Sequence, residues 1–282
     1  MKFEIPAKPD DWPTFRHDAA RSGSTPAGVA PDVSVEWETE LKGTLTAPVA
    51  WFGKVFVAKP DAHTVYALDM ASGRVIWRFT AGGRIDSPPT VYSNMVLFGS
   101  KDGRVYCLRA SDGQIVWRFL AAPSDRRIGS YDQVESAWPV HGSVLVDNDT
   151  AYFTAGRSTY LDGGIRVYGL DPATGKILHK GLLKGPNPFA EGGRDVAFFT
   201  LGANSDVLVS KGGYVYMRQK KMTPQLKEIS VEVLSSKGEQ DVGLHVFSTA
   251  GLLDDSNYNR TFWMYSKRWP GLQLGHPAPK AG

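Results

Sequence analysis

Two stretches of the chain repeat one another at a spacing of forty positions. Val65-Tyr66-Ala67-Leu68, Gly73 and Val75-Ile76-Trp77-Arg78-Phe79 return as Val105-Tyr106-Cys107-Leu108, Gly113 and Ile115-Val116-Trp117-Arg118-Phe119. A period near forty, filled with β-branched and aromatic residues and broken by Gly-centred turns, specifies blades of four antiparallel strands stacked about a common axis. A third hairpin, Val167-Tyr168-Gly169-Leu170 through Gly175 to Ile177-Leu178, lies 62 positions beyond the second. The surplus over the period is an insertion, placed mainly in residues 121–138, and insertions into repeats map to loops on one face, often the binding face.

Before each hairpin stands a strand pair joined by a short polar turn: Ala47–Trp51 with Val55–Val57, Ser87–Val91 with Val96–Phe98, His141–Leu145 with Ala151–Phe153 and, more loosely, Asn204–Leu208 with Tyr214–Tyr216. Residues 1–36, rich in Pro, Asp, Ala and Ser, read as an extended leader, and 37–282 as the repeat domain. At about 42 residues per blade the stretch from Val33 to Gly271 holds about five to six blades. The tail from Trp269 to Gly282 offers no obvious closing strand. The expected fold is therefore all-β, a β-propeller of four-stranded antiparallel blades whose ring is incomplete or truncated.

The repeated residues have structural roles in this reading. Trp77 and Trp117 suit an aromatic wedged between neighbouring sheets, and Gly73, Gly113 and Gly175 take the turn position that needs positive φ. His179 stands where the third copy would carry tryptophan, so that interface should pack differently.

The chain carries 32 basic and 29 acidic side chains, a net +3. That balance gives no reason to expect a nucleic-acid partner, which needs cations clustered on one face. The one cationic stretch, Arg218 to Lys227 with Lys220 and Lys221, reads as a solvated loop. Cys107 is the only cysteine, which excludes an internal disulfide and a cysteine-based zinc site. Its counterpart in the repeat is Ala67, so it reads as a small buried filler. No apolar run is long enough for a transmembrane helix, and the amino terminus, Met1 to Pro9, lacks the apolar core of a secretory signal. Nothing in the sequence fixes an oligomeric state.

Nucleotide, serine-hydrolase, zinc-protease and calcium-loop motifs all fail. Gly169 to Lys176 has five residues between its glycines where a phosphate loop needs four, and Asp147-Asn148-Asp149 lacks the glycine and closing Glu of a calcium loop. The repeat itself supplies better candidates. Asp86, His141 and Asn204 stand at or beside the entry to successive inner strands, positions that approach a channel mouth. Glu135, Trp138, Arg126 and Arg127 come from the insertion and can cap the same opening. A carboxylate, an imidazole and paired cations in one concave site suit an anionic or sugar-like ligand, or acid–base work. A second polar and aromatic cluster is Asp254-Asp255 with Arg260 and Trp263; adjacent strand residues point to opposite faces, so one of the two carboxylates at most lines a site.

Written as Val-Tyr-x-Leu, four residues, Gly-x-(Val/Ile)-(Ile/Val)-Trp, the hairpin resembles the pyrroloquinoline-quinone (PQQ)-like repeat of quinoprotein alcohol dehydrogenases and of BamB-like outer-membrane assembly lipoproteins. Asp11-Trp12-Pro13-Thr14-Phe15-Arg16 with Arg21-Ser22-Gly23 is similar to the entry segment of many such propellers. Glu135 to Ser143 and Phe247 to Asp255 look like those of an uncharacterised bacterial subgroup. The resemblance spans about residues 11–265 and implies a periplasmic or otherwise extracytoplasmic setting. Members that use the quinone hold it in the channel with calcium or a lanthanide, a stacking Trp, an Asp base and often two adjacent cysteines, which this chain cannot supply. The expectation is a non-catalytic scaffold without cofactor, catalytic residue or metal ligand, binding a protein or carbohydrate partner through its insertion-bearing face. The alternative is an enzyme with a channel-mouth site around Asp86, Glu135 and His141 acting on a polysaccharide, or a quinone-linked alcohol dehydrogenase using PQQ with calcium.

Overall fold

A computed structural model describes residue 8, residues 11–130, 132–185, 203–218 and 220–229, and the backbone of two further strands, 246–248 and 263–265. Four sheets of four antiparallel strands follow one another in chain order. Blade 1 holds β1 (Val49–Trp51), β2 (Lys54–Lys59), β3 (Thr64–Asp69) and β4 (Val75–Thr80). Blade 2 holds β5 (Thr90–Tyr92), β6 (Met95–Ser100), β7 (Arg104–Arg109) and β8 (Ile115–Leu120). The insertion forms its own hairpin, β9 (Arg127–Ser130) and β10 (Gln133–Ser136). Blade 3 holds β11 (Leu145–Asp147), β12 (Thr150–Ala155), β13 (Ile165–Leu170) and β14 (Ile177–Leu183). Blade 4 holds β15 (Val209–Lys211), β16 (Tyr214–Met217), β17 (Lys220–Met222) and β18 (Glu228–Ile229), and a last antiparallel pair joins β19 (Val246–Ser248) to β20 (Trp263–Tyr265). The all-β propeller architecture is thus as the repeat predicts, with four complete blades among the described residues.

The repeat motif explains how blades lock together. In each of the first three blades the pairing of third and fourth strands slips by one residue, at Ala67/Leu68, Cys107/Leu108 and Gly169/Leu170. The bulge leaves Ile76, Val116 or Leu178 without a cross-strand partner and sets the next residue, Trp77, Trp117 or His179, opposite a small one. Hence Cys107 is a filler, as its equivalence to Ala67 implies. The Trp77 indole N–H donates to the Ala110 carbonyl in the next blade (3.0 Å), and the Trp117 indole to the Pro172 carbonyl (2.9 Å). Each ring lies on the glycine of the turn it reaches. A Cβ on Gly113 would come within 2.7 Å of the Trp77 ring, and one on Gly175 within 2.7 Å of Trp117. Both glycines also have positive φ, 73° and 71°, so two independent reasons exclude a side chain.

Trp37, forty positions before Trp77, does the same one blade earlier. Its indole donates to the Met70 carbonyl (2.8 Å), its ring covers Gly73 (φ 69°), and Thr39 Oγ1 donates to the Gly73 carbonyl (2.7 Å). Residues 35–39 therefore take the outer-strand position against blade 1.

The stretch from Lys220 onward is not the solvated loop expected from its charge. Lys220 is buried in β17 and donates to Glu228 Oε1 on the paired strand (2.8 Å), while Arg218 is buried against Asp206 (3.1 Å). Charge pairing within the sheet offsets the desolvation that a hydropathy reading counts against burial.

Residues 11–23 run along the inner strands. Trp12 exchanges backbone hydrogen bonds with Ala50 of β1, Val91 N–H of β5 donates to the Pro13 carbonyl, and Ser210 N–H of β15 donates to the Ala19 carbonyl. Arg21, about 4% exposed, donates to Thr14 Oγ1 and to the carbonyls of Phe15, Val144 and Leu208. One guanidinium thus ties the segment to blades 3 and 4, and Thr14 bonded to Thr90 ties it to blade 2. Burial brings the Arg21 pKa down to about 10, which leaves it fully charged at neutral pH.

Candidate functional site

Antiparallel order puts the turns between first and second strands, and between third and fourth, at one end of every blade. The turns between second and third strands and the inter-blade connections gather at the other, and the insertion hairpin lies there. Asp86 and Arg84 come from the connection between blades 1 and 2, Lys101 from the β6–β7 turn, Glu135 from β10, His141 from the approach to β11, and Arg157 from the turn after β12.

These side chains form one ionic network. Asp86 accepts from Arg84 Nε (2.6 Å) and meets Lys101 Nζ (3.3 Å) and His141 Nδ1 (3.3 Å). Lys101 reaches on to Glu135 (3.4 Å), whose other oxygen is bonded by Arg157. Arg84 also pairs with Asp61 in the β2–β3 turn of blade 1, and His63 Nε2 lies 3.2 Å from Gln133 Oε1 of the insertion. Glu135 is almost fully buried, at 3% exposed, while Asp86 and His141 are each 18% exposed. Burial would raise the Asp86 pKa, but hydrogen bonding and charge from His141, then Lys101 and Arg84, hold it at about 2.

Of the residues singled out in the sequence, Asp86, His141 and Glu135 are brought together. Asn204 is not joined to them. It bridges Ser158 through its backbone, one residue past Arg157, and its side chain makes no hydrogen bond to the network among the described residues. Arg126, Trp138 and Arg127 do not cap the network either. Trp138 is 8% exposed in the core between blades 2 and 3, with its indole N–H donating to the Asp162 carbonyl (2.9 Å). Arg126 lies over that ring, 5.0 Å from its centroid, and pairs with Asp162. Together they clip the insertion to blade 3. Arg127 is half exposed beside Asp125. The cluster of Asp254, Asp255 and Arg260 lies outside the described residues, as do all but the backbone atoms of Trp263.

Lys101 and Arg157, which knit the network together, were missed. Their only sequence signal is position: each follows the second strand of its blade, as Asp61 does in blade 1.

Among the described residues the donor set of this network does not suit a quinone with calcium. Asp86 and Glu135 are the network carboxylates a cation would need, and Arg84, Lys101 and Arg157 already neutralise them at fixed positions. Among the described residues no group of three or more His, Cys, Asp and Glu is arranged to hold a metal. Cys107 lies inside β7 with its thiol pushed up to about 12 by burial. Among the described residues no helix is long and apolar enough to cross a membrane.

Among solved structures the chain is similar to quinohemoprotein alcohol dehydrogenase ADHIIG from Pseudomonas putida HK5, with a TM-score of 0.54 at 17% identity over 76% of this chain and 34% of that one. The enzyme of the same kind from Comamonas testosteroni gives 0.50 at 20% identity over 61% and 27%. A europium-containing methanol dehydrogenase gives 0.51 at 14% identity over 94% and 48%. The chain thus spans less than half the length of each, and at these identities the likeness concerns the fold alone. No curated protein matches it by sequence. Residues 28–237, most of the chain, match the family model described as outer membrane protein assembly factor BamB. Repeat, blade lock and family match agree, and the chain belongs to that family of PQQ-like-repeat β-propellers.

Proposed function

We propose that the chain is a non-catalytic scaffold that presents its insertion-bearing end to a protein partner outside the cytoplasm. The carrying observation is the closed ionic network: the buried Glu135 and the partly buried Asp86 are both held by cations, and Asp86, with a pKa of about 2, has no proton to give at neutral pH. Glycoside hydrolysis needs one carboxylic acid kept protonated beside a second carboxylate, and Asp86 is tuned the other way. Such a network fixes the geometry of a surface. The hairpin β9–β10 projects from it with Val134 62% exposed and with Arg127, of a residue type enriched in protein interfaces, half exposed. Membership in a family described as an assembly factor supports the partner and the compartment.

The test is site-specific photocrosslinking in the source cell. A photoreactive residue at Val134 should give one discrete protein adduct, and the same residue at Phe52, exposed at the opposite end of blade 1, should not. Equal labelling at both positions, or none at Val134, would refute the reading. So would turnover of a polysaccharide by the purified chain that Glu135→Gln abolishes.

A further inference from the structure

At the end opposite the network, a cleft of about 1020 Å³ opens between blades 2 and 3, walled on its inner side by residues 13–21. Its size is at the top of the ordinary range for binding clefts. It extends from the inner strands, at Thr90 and Leu145, to the outer strand β8, at Val116. That is three strand spacings, about 14 Å, the length of about four extended residues. The apolar lining includes Met95, Val116 and Pro172, with Val116 47% exposed. Three carboxylates, Asp18, Asp149 and Asp171, also line it. Of its two arginines, Arg109 is bonded to Asp112 through both Nε (2.9 Å) and Nη2, which leaves the three carboxylates against one buried cation, Arg21, whose charge acts on Asp18. The cleft is therefore long, apolar inside and negative at its edge, although the whole chain carries a net +3.

We propose that this cleft binds an extended peptide segment in which basic and bulky apolar residues alternate, the apolar side chains lying on Val116 and Met95 and the basic ones meeting Asp149 and Asp18. It is independent of the insertion-bearing end, so either can fail alone.

The probe is a fluorescein-labelled hexapeptide, Gly-Leu-Arg-Leu-Arg-Gly, titrated with the full chain by anisotropy, against a counterpart with Glu for both Arg. The arginine peptide should bind saturably and the glutamate peptide should not. Val116→Glu should weaken binding by at least about tenfold, and Asp149→Asn, which keeps the left-handed turn residue, by about two- to fivefold. Phe52→Glu should change nothing. A benzophenone on the peptide should label the chain near Met95 and Val116, a readout that stands even if Val116→Glu does not fold. The proposal is overturned by the absence of saturable binding, by equal binding of the two peptides, by wild-type affinity in a folded Val116→Glu, or by labelling elsewhere.

Discussion

The interface between blades 1 and 2 and that between blades 3 and 4 solve the same packing problem with different residues. In the first, Trp77 lies on the Gly113 turn and its indole donates to Ala110. In the second the equivalent residue is His179, and the locking hydrogen bond comes from another strand, Tyr152 Oη donating to the Pro224 carbonyl (3.1 Å). Aliphatic burial replaces the ring: Leu145, Leu183, Leu208, Met217, Met222 and Leu226 form one buried cluster, and Gly181 is so close to Leu226 that a Cβ would fall 2.6 Å from its carbonyl oxygen. The ends differ too. Ion pairs tie the connections of blades 1 to 3 into one network, whereas among the described residues blades 3 and 4 meet there through Thr154 and Ser205 (2.8 Å) and the backbone bridge of Ser158 with Asn204. A tryptophan on a positive-φ glycine concentrates the contact in one transferable pair. Without it, the same area is covered by many smaller side chains, none individually decisive.

That contrast can be broken by substitution. Trp77→Ala should lose about 3–5 kcal/mol in denaturant unfolding, while His179→Ala should stay within about 1 kcal/mol; equal losses would erase the distinction. Glu135→Gln leaves Lys101 and Arg157 without their shared carboxylate and should cost on the order of 3 kcal/mol, since breaking a buried ion pair strands its partners. The network variant should also loosen the insertion, read as faster proteolysis within 121–138. Gly113→Ala forces both an unfavourable φ and a clash with the Trp77 ring, for a loss of about 2–4 kcal/mol. In a Trp77→Ala background that loss should fall to the φ component alone, about 1–2 kcal/mol.

The smallest effect concerns pH. The Asp86 pKa is depressed in the folded state, to about 2 against an ordinary value of about 3.9. Its contribution is therefore complete above pH about 4 and is lost as pH falls through about 2, on the order of 2 kcal/mol in all. Asp86→Asn should flatten the stability profile in that window, and an unchanged acid limb would show that the ion pairs are not formed in solution.

The sequence makes legible whatever the period repeats. Trp77, Trp117 and their glycines declare both blade and lock because each recurs in register, and Asp86 and His141 are placed near one opening by the same register. Trp37 is harder to see, since only Val35 and the tryptophan persist around it and its neighbours Glu36 and Glu38 break the strand-like pattern. Lys101 and Arg157 are invisible to the repeat because their turns differ in length and residue from blade to blade. Trp138 could not be told from a surface aromatic, because its burial depends on how the inserted hairpin folds back on blade 3. Lys220 and Arg218 misled for a related reason: their carboxylate partners, Glu228 and Asp206, become neighbours only once the sheet has formed.

Platform and cleft alike depend on blades 1, 2 and 3 being locked in turn by a tryptophan on a glycine turn. Indole N–H exchange, followed by NMR on tryptophan-labelled protein, reads that lock directly. The indole hydrogens of Trp37, Trp77 and Trp117 should all be strongly protected, and Gly113→Ala should selectively release that of Trp77. Exchange of the Trp77 and Trp117 indoles at the rate of free tryptophan would contradict the stacked-blade account.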